Sequence, residues 1–177
     1  MKCFAALYRE LDASTATREK QAALQRYFSE APAADAAWAV YFLAGGKPRQ
    51  TVPTRALREQ ALSTTGLPEW LFEESYQTVG DLAETVSLLL PPASAPVDRG
   101  LAEWLTQHLL PLRGLPPDVL NERLRDQWNA LPDDQRFVYF KLITGGFRVG
   151  VSRLQVTQAL AIVAGVDAKR VAQRLMG

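Results

Sequence analysis

Gly145-Gly146-Phe147-Arg148-Val149-Gly150-Val151-Ser152-Arg153 joins two apolar runs, Phe137-Val138-Tyr139-Phe140 with Leu142 and Ile143 before it, and Leu154 to Val163 after it. Both runs carry the spacing of helices. Adjacent glycines close the first, because glycine accepts the left-handed backbone at a helix C-terminus. Ser152 followed three residues later by Gln155 reads as a capping box that opens the second. Between them lies a short loop in which an arginine sits among three glycines. Such a loop lets backbone N–H groups approach a phosphate, and the helix start behind it adds partial positive charge. A plain helix–helix turn with a chance arginine would read the same from this stretch alone.

The chain contains the pattern twice. Phe42-Leu43-Ala44-Gly45-Gly46 corresponds to Leu142-Ile143-Thr144-Gly145-Gly146, Thr54-Arg55 to Ser152-Arg153, and Gln60-Ala61-Leu62 to Gln158-Ala159-Leu160. The first loop is longer by two residues and runs through Lys47-Pro48-Arg49-Gln50-Thr51-Val52-Pro53. A helix–loop–helix unit repeated at this distance is too widely spaced for a solenoid, and it predicts one folded body with two pseudo-symmetric halves.

The remaining chain reads as helix throughout. Phe4, Leu7, Tyr8 and Leu11 share one helical face, as do Ala23, Leu24, Tyr27 and Phe28, and Leu101, Trp104, Leu105, His108 and Leu109. Pro68, Pro117 and Pro132 stand at helix starts, where a missing N–H costs nothing. Asp133 and Asp134 suit the positive end of a helix. No stretch alternates with period two without a better helical reading. The expected fold is all-α, a single helical domain of about ten to twelve helices, the last of them from Asp167 to Met176. Pro91-Pro92-Ala93-Ser94-Ala95-Pro96 reads as the linker between a half at about 1–90 and a half at about 97–177. One helix is expected from Asp98 to Leu110.

At 177 residues and 47% hydrophobic, the chain can bury a substantial core. It has no apolar run of roughly 18 residues that could span a membrane, and charge interrupts the N-terminus too early for a signal peptide. One cysteine and one histidine exclude an internal disulfide and an ordinary structural zinc site. These features fit a reducing compartment, the cytoplasm. Net charge is only +1, but it is segregated along the chain. Lys47, Arg49, Arg55 and Arg58 fall in one acid-free stretch, and Arg136, Lys141, Arg148 and Arg153 in another. Glu59 to Asp98 is acidic, with no lysine or arginine. Such a pattern places a positive surface on the repeated loops, where a polyanion would bind.

No active site is apparent. His108 lies on an apolar stripe, Cys3 is a small residue near a terminus, and Glu73-Glu74 reads as a solvated face. Trp38, Trp70, Trp104 and Trp128 fall among large apolar neighbours and read as core. Phosphate-binding and dinucleotide-binding fingerprints are missing. The two loops are left as the functional feature. Paired arginine-bearing turns could grip both backbones of a duplex across the minor groove without reading bases. In this reading Arg148 enters or flanks the groove, and amides near Gly146, Gly150 and Ser152 meet phosphates. Arg153, with Lys47, Arg49 and Arg55, adds charge. The competing reading is a helical protein-interaction domain that docks a partner through its acidic stretch.

Leu142-Ile143-Thr144-Gly145-Gly146-Phe147-Arg148-Val149-Gly150-Val151-Ser152 resembles the signature loop of the N-terminal DNA-binding domain of ATP-dependent DNA ligases. Glu73-Glu74-Ser75-Tyr76 through Val79-Gly80-Asp81-Leu82-Ala83-Glu84-Thr85 resembles a second stretch of that domain. The likeness covers nearly the whole chain, whose compact length is similar to the bacterial members. It implies an all-helical, pseudo-two-fold domain that holds nicked duplex DNA through the minor groove, largely without sequence preference. It also implies two partners in the same parent chain, an adenylation domain and an oligonucleotide-binding-fold (OB-fold) domain. The positions carried over are Gly146, Arg148, Gly150 and Ser152. The first loop lacks the Gly-x-x-x-Gly pattern and contains Pro48 and Pro53, so Lys47, Arg49 and Arg55 rest on the repeat and on charge. Such ligases form lysyl-AMP on a K-x-D-G lysine. None of Lys2, Lys20, Lys47, Lys141 and Lys169 is followed by x-Asp-Gly. The resemblance therefore implies a non-catalytic module with no cofactor of its own. ATP and Mg2+ would serve the parent enzyme through domains expected beyond Gly177, in nucleoid-associated DNA repair, replication and recombination.

Overall fold

The computed structural model describes residues 1–165 except Gly146 and Arg148. The expected last helix, Asp167 to Met176, lies outside the described residues. Among the described residues the chain is all-α, with ten α-helices and no strand: α1 Lys2–Ala13, α2 Thr17–Glu30, α3 Ala33–Leu43, α4 Thr54–Thr65, α5 Glu69–Val79, α6 Leu82–Leu89, α7 Leu101–Glu103, α8 Pro117–Ala130, α9 Asp133–Thr144 and α10 Arg153–Ala164. The helix expected from Asp98 starts later, at Leu101, and changes pitch. α7 widens into a π-helical stretch, Trp104–Leu109, and then tightens into a 3-10 turn, Leu110–Leu112. Pro111 accounts for this. A proline within a helix has no N–H to donate and crowds the carbonyl four residues back, so the regular ladder cannot run through it.

The chain forms two compact units, Met1–Lys47 with the described part of Phe147–Gly177, and the described part of Pro48–Gly146. The proline-rich segment at 91–96 lies inside the second unit. Both crossings between units fall in the repeated loops, so each repeat begins in one unit and ends in the other. α3 and α10 belong to the first unit, α9 and α4 to the second.

In the first unit α2 packs on α1 and α10. Every residue on the two expected apolar faces is buried: Phe4, Leu7, Tyr8 and Leu11 on α1, and Ala23, Leu24, Tyr27 and Phe28 on α2. Val156, Ala159 and Ala161 are the buried apolar residues of α10. Small side chains there allow α10 close to α2, and Gln21 Nε2 donates to the Gln155 carbonyl at 2.7 Å to fix their register.

The second unit encloses Trp104, Trp128, Tyr139 and Phe140, all nearly inaccessible to solvent. Several of its buried polar groups are matched by hydrogen bonds, while the indole N–H groups of Trp104 and Trp128 have no acceptor among the described residues. The Tyr139 hydroxyl donates to Gln127 Oε1 at 2.5 Å, and Gln127 Nε2 donates to the His108 carbonyl at 3.0 Å, linking α9, α8 and the π-helical stretch. Arg136, 2% exposed, donates through Nε and Nη2 to the Trp128 carbonyl and through Nη1 to that of Pro91. It thereby caps the end of α8 and fastens the proline-rich segment. Backbone bonds from Ala95 to Asn129 and from Val97 to Ala130, at 3.0 and 2.8 Å, fasten it further. Trp70, expected in the core, is 67% exposed. On α5 only Phe72 is buried, and Trp70 lies off that face.

Asp81 joins α6 to α9. Its Oδ1 accepts the Glu84 N–H at 2.9 Å as the α6 N-cap, and its Oδ2 pairs with the ammonium of Lys141, which is 7% exposed. Burial alone would raise the Asp81 pKa. Hydrogen bonds from Lys141 and from the backbone of Glu84 and Ala83, with the Lys141 charge, outweigh burial and hold it below the ordinary value. A depressed native pKa gives stabilisation that is complete above the unfolded carboxylate range and is lost as pH falls through the native value. Asp81→Asn keeps a competent cap but strands the ammonium. It should cost about 2–3 kcal/mol in urea unfolding at neutral pH. The Asp81→Asn, Lys141→Met pair should recover most of that loss, and Asp81→Asn should flatten the decline of stability between roughly pH 5 and 3.

Candidate nucleic-acid interface

The end of α3 is closed by two nested backbone bonds, Gly45 N–H to the Phe42 carbonyl at 3.1 Å and Gly46 N–H to the Tyr41 carbonyl at 2.8 Å. This closure requires a positive φ at Gly45, +97°, and leaves no room for a side chain at Gly46, where a Cβ would stand 2.5 Å from Tyr41. Ala44 keeps its carbonyl outward, and Arg153 Nη2 approaches it at 3.4 Å. Arg153, expected as a phosphate contact, thus also sets a cation against the negative end of α3.

The loop leading to α10 is anchored on both sides of position 148. Phe147 lies parallel to Phe4 with ring centroids 5.4 Å apart, meets Tyr8 edge-on at 5.0 Å, and approaches Phe42 at 5.9 Å. Val149 is buried, as is Val52 in the first loop. Lys20 of α2 reaches across and donates to the Gly150 carbonyl at 2.9 Å and to the Val149 carbonyl at 3.4 Å. Gly150 has φ +66°, and a Cβ there would fall 2.7 Å from Lys20 Nζ. The glycine therefore serves a left-handed turn and the close approach of a lysine at once.

The capping box forms as its spacing predicts. Gln155 N–H donates to Ser152 Oγ at 3.1 Å, and Ser152 N–H donates to Gln155 Oε1 at 2.8 Å. The Ser152 amide, expected to meet a phosphate, already has an acceptor. The next two N–H groups of the helix start, those of Arg153 and Leu154, have none among the described residues. They sit at the positive end of α10. A cleft of about 530 Å³ opens there, lined by Ala44 and Gly45 from the end of α3 and by Val149, Gly150, Ser152 and Arg153.

Charge in space differs from charge in sequence. Four of the eight basic residues in the acid-free stretches pair with carboxylates: Arg55 with Glu59 at 2.9 Å, Arg58 with Glu73 and Glu69, Lys141 with Asp81, and Arg136 with Asp133 at 3.6 Å. The acids lie well away in sequence, or on the next helical turn, and folding brings them in. Arg136 and Lys141 are buried structural cations, not surface charge. Lys47, Arg49 and Arg153 are exposed and have no acidic partner among the described residues. Arg55 is exposed as well, and its pair with Glu59 is a solvated one of small energy, about 0.3–0.5 kcal/mol.

Of the sequence candidates, the first unit thus brings Gly150, Ser152 and Arg153 to one cleft and also contains Lys47, two residues beyond the Gly45 that lines it. Arg49 and Arg55 belong to the second unit. Gly146 and Arg148 lie outside the described residues. Lys20 was not singled out by the sequence, and no local signal could have found it, since it meets the loop across about 130 positions. His108 is half-buried, with its ring 5.1 Å from that of Trp104; burial, then Arg99, hold its imidazole below the ordinary pKa, which suits a structural residue.

A family model described as DNA ligase N terminus matches residues 1–161. The chain belongs to that family. The match includes both repeated loops, the cleft and all but the last turn of α10. The ligase N-terminal domain accordingly uses an all-helical scaffold, as the resemblance implies. Comparison with curated proteins gives no significant match. Among the described residues of this domain no three His, Cys, Asp or Glu side chains come together as metal ligands, and no helix is long and apolar enough to cross a membrane.

Gly150→Ala should destabilise the ligase N-terminal domain by about 1–2 kcal/mol through its positive φ. Lys20→Met should cost about 1–2 kcal/mol through its lost charged hydrogen bonds. Because the alanine Cβ and the Lys20 ammonium compete for one place, the double variant should lose less than the sum in urea titrations.

Proposed function

We propose that this ligase N-terminal domain is the non-catalytic DNA-binding module of an ATP-dependent DNA ligase, and that it holds nicked duplex DNA through phosphate and minor-groove contacts without sequence preference. The observation that carries the reading is the cleft at the start of α10. Two N–H groups without acceptors stand there beside the exposed guanidinium of Arg153, within a loop held by Lys20 and Phe147. A helix start with free N–H donors and an unpaired cation suits a phosphate oxygen. Arg148, between the anchored Phe147 and Val149 in sequence, is the residue assigned to the groove. Lys47, Arg49 and Arg55 supply sequence-independent charge from the first loop, and Gly146 and Gly150 allow close backbone approach.

Catalysis belongs elsewhere in the parent protein. The chain has no K-x-D-G lysine, so its residues do not fit an adenylation site. ATP and Mg2+ act, in this reading, on an adenylation domain that works with an OB-fold domain around the same DNA. The setting is nick sealing in replication, repair and recombination on the cytoplasmic nucleoid. The acidic stretch is a weaker candidate for the main function, since Glu59, Glu69, Glu73 and Asp81 already face basic side chains.

Mobility shifts with nicked duplex across a salt series test this. Neutralising roughly four to six phosphates gives a logarithmic salt slope of about −4 to −5. Arg148→Ala should weaken binding by about 1 kcal/mol or more, and Arg153→Ala should make the slope shallower by about one. Absence of a shift at low salt would overturn the reading. Labelled ATP with magnesium should leave the chain unmodified.

A further inference from the structure

In the second unit α5 and α6 pack side by side and leave a groove of about 400 Å³. Leu71 and Val79 of α5 and Leu88 and Leu89 of α6 give it apolar walls. Its three hydroxyl groups do not offer protons to a ligand, because each donates to a carbonyl one turn back: Ser75 to Leu71 at 2.8 Å, Thr78 to Glu74 at 2.8 Å, and Thr85 to Asp81 at 2.7 Å. What remains to meet an occupant is methyl and methylene surface with the Glu74 carboxylate. Leu88, 67% exposed, stands in the wall, and Trp70, equally exposed, precedes Leu71 on α5.

The charge that lines the groove is acidic. Glu74 lines it, and Glu84 lies one turn before Leu88 on α6. Neither has a cationic partner among the described residues, and residues 59–98 include no lysine or arginine. Carboxylates around an apolar groove repel nucleic acid and favour a cationic, amphipathic occupant. An exposed large apolar side chain in a pocket wall, here Leu88, is the anchor type on which helix-in-groove recognition rests.

We propose that the α5–α6 groove docks an amphipathic α-helix of a partner protein, with aliphatic residues at helical spacing on one face and lysine or arginine on its flanks. The groove shares no lining residue with the cleft at the start of α10, and its docking role does not depend on DNA binding.

The probe is a fluorescein-labelled helical peptide of about four turns, with leucines at i, i+4 and i+7 and lysines on the flanks. Fluorescence anisotropy with the full chain should show saturable binding that weakens with added salt. Leu88→Ser and the Glu74→Lys, Glu84→Lys pair should each weaken it by about tenfold with circular dichroism unchanged, and a glutamate-flanked peptide should bind about tenfold more weakly. Equal binding of the two peptides, binding indifferent to these substitutions, or no saturation at about millimolar peptide would overturn the proposal. Self-association of the free chain in sedimentation equilibrium, abolished by Leu88→Ser, would overturn it in favour of a second copy. Nicked-DNA binding measured on Leu88→Ser, which leaves the charge unaltered, should be unchanged, so failure of either reading is seen separately.

Discussion

Two backbone carbonyls, those of Val149 and Gly150, belong to no helix, and the Lys20 ammonium satisfies both. The cleft at the start of α10 depends on that arrangement. Glycine leaves a backbone free to take many conformations, and α10 can present its N–H groups in a fixed direction only if the residues before it are held. Lys20 holds them from one side and the Phe147 ring from the other, against Phe4 and Tyr8. The capping box then fixes the first helical turn itself. Each contact alone is worth little. Together they convert a permissive sequence into a defined helix start.

The same logic governs charge. A lysine or arginine in an acid-free stretch looks available, yet Lys141 and Arg136 are buried, the first paired with Asp81 and the second with Asp133 and backbone carbonyls. A buried cation without such partners would be far costlier than any surface pair is worth. Their partners, Asp81 on α6 and the carbonyls of Trp128 and Pro91, tie together segments that apolar packing alone would orient less strictly. Of the eight basic residues in the acid-free stretches, Lys47, Arg49 and Arg153 are exposed and without an acidic partner among the described residues, fewer than their count in the sequence implies.

How far the sequence could be read follows from the range of each interaction. The helices with a single apolar stripe, α1 and α2, were legible down to their inward residues, because i, i+3, i+4 spacing is a local property. The capping box at Ser152 and the glycine terminations were legible for the same reason. Trp70 misled, since its apolar neighbours in sequence point to a different face of α5 from its own. Lys20, the buried role of Arg136 and the division into units were out of reach, because each depends on residues far apart along the chain. The internal repeat was visible as a pattern, and the compact units divide each copy between them.

That division has a consequence for synthesis. The second unit is one uninterrupted segment, whereas the first is assembled from pieces separated by about a hundred residues. As the chain leaves the ribosome, α1 and α2 emerge with their aromatic faces ready but without α10 to cover them. At ordinary translation speeds the wait is on the order of 5–20 seconds, during which the intervening segment can already have closed upon itself. Birth order and folding order are therefore opposed, and the N-terminal helices are completed last.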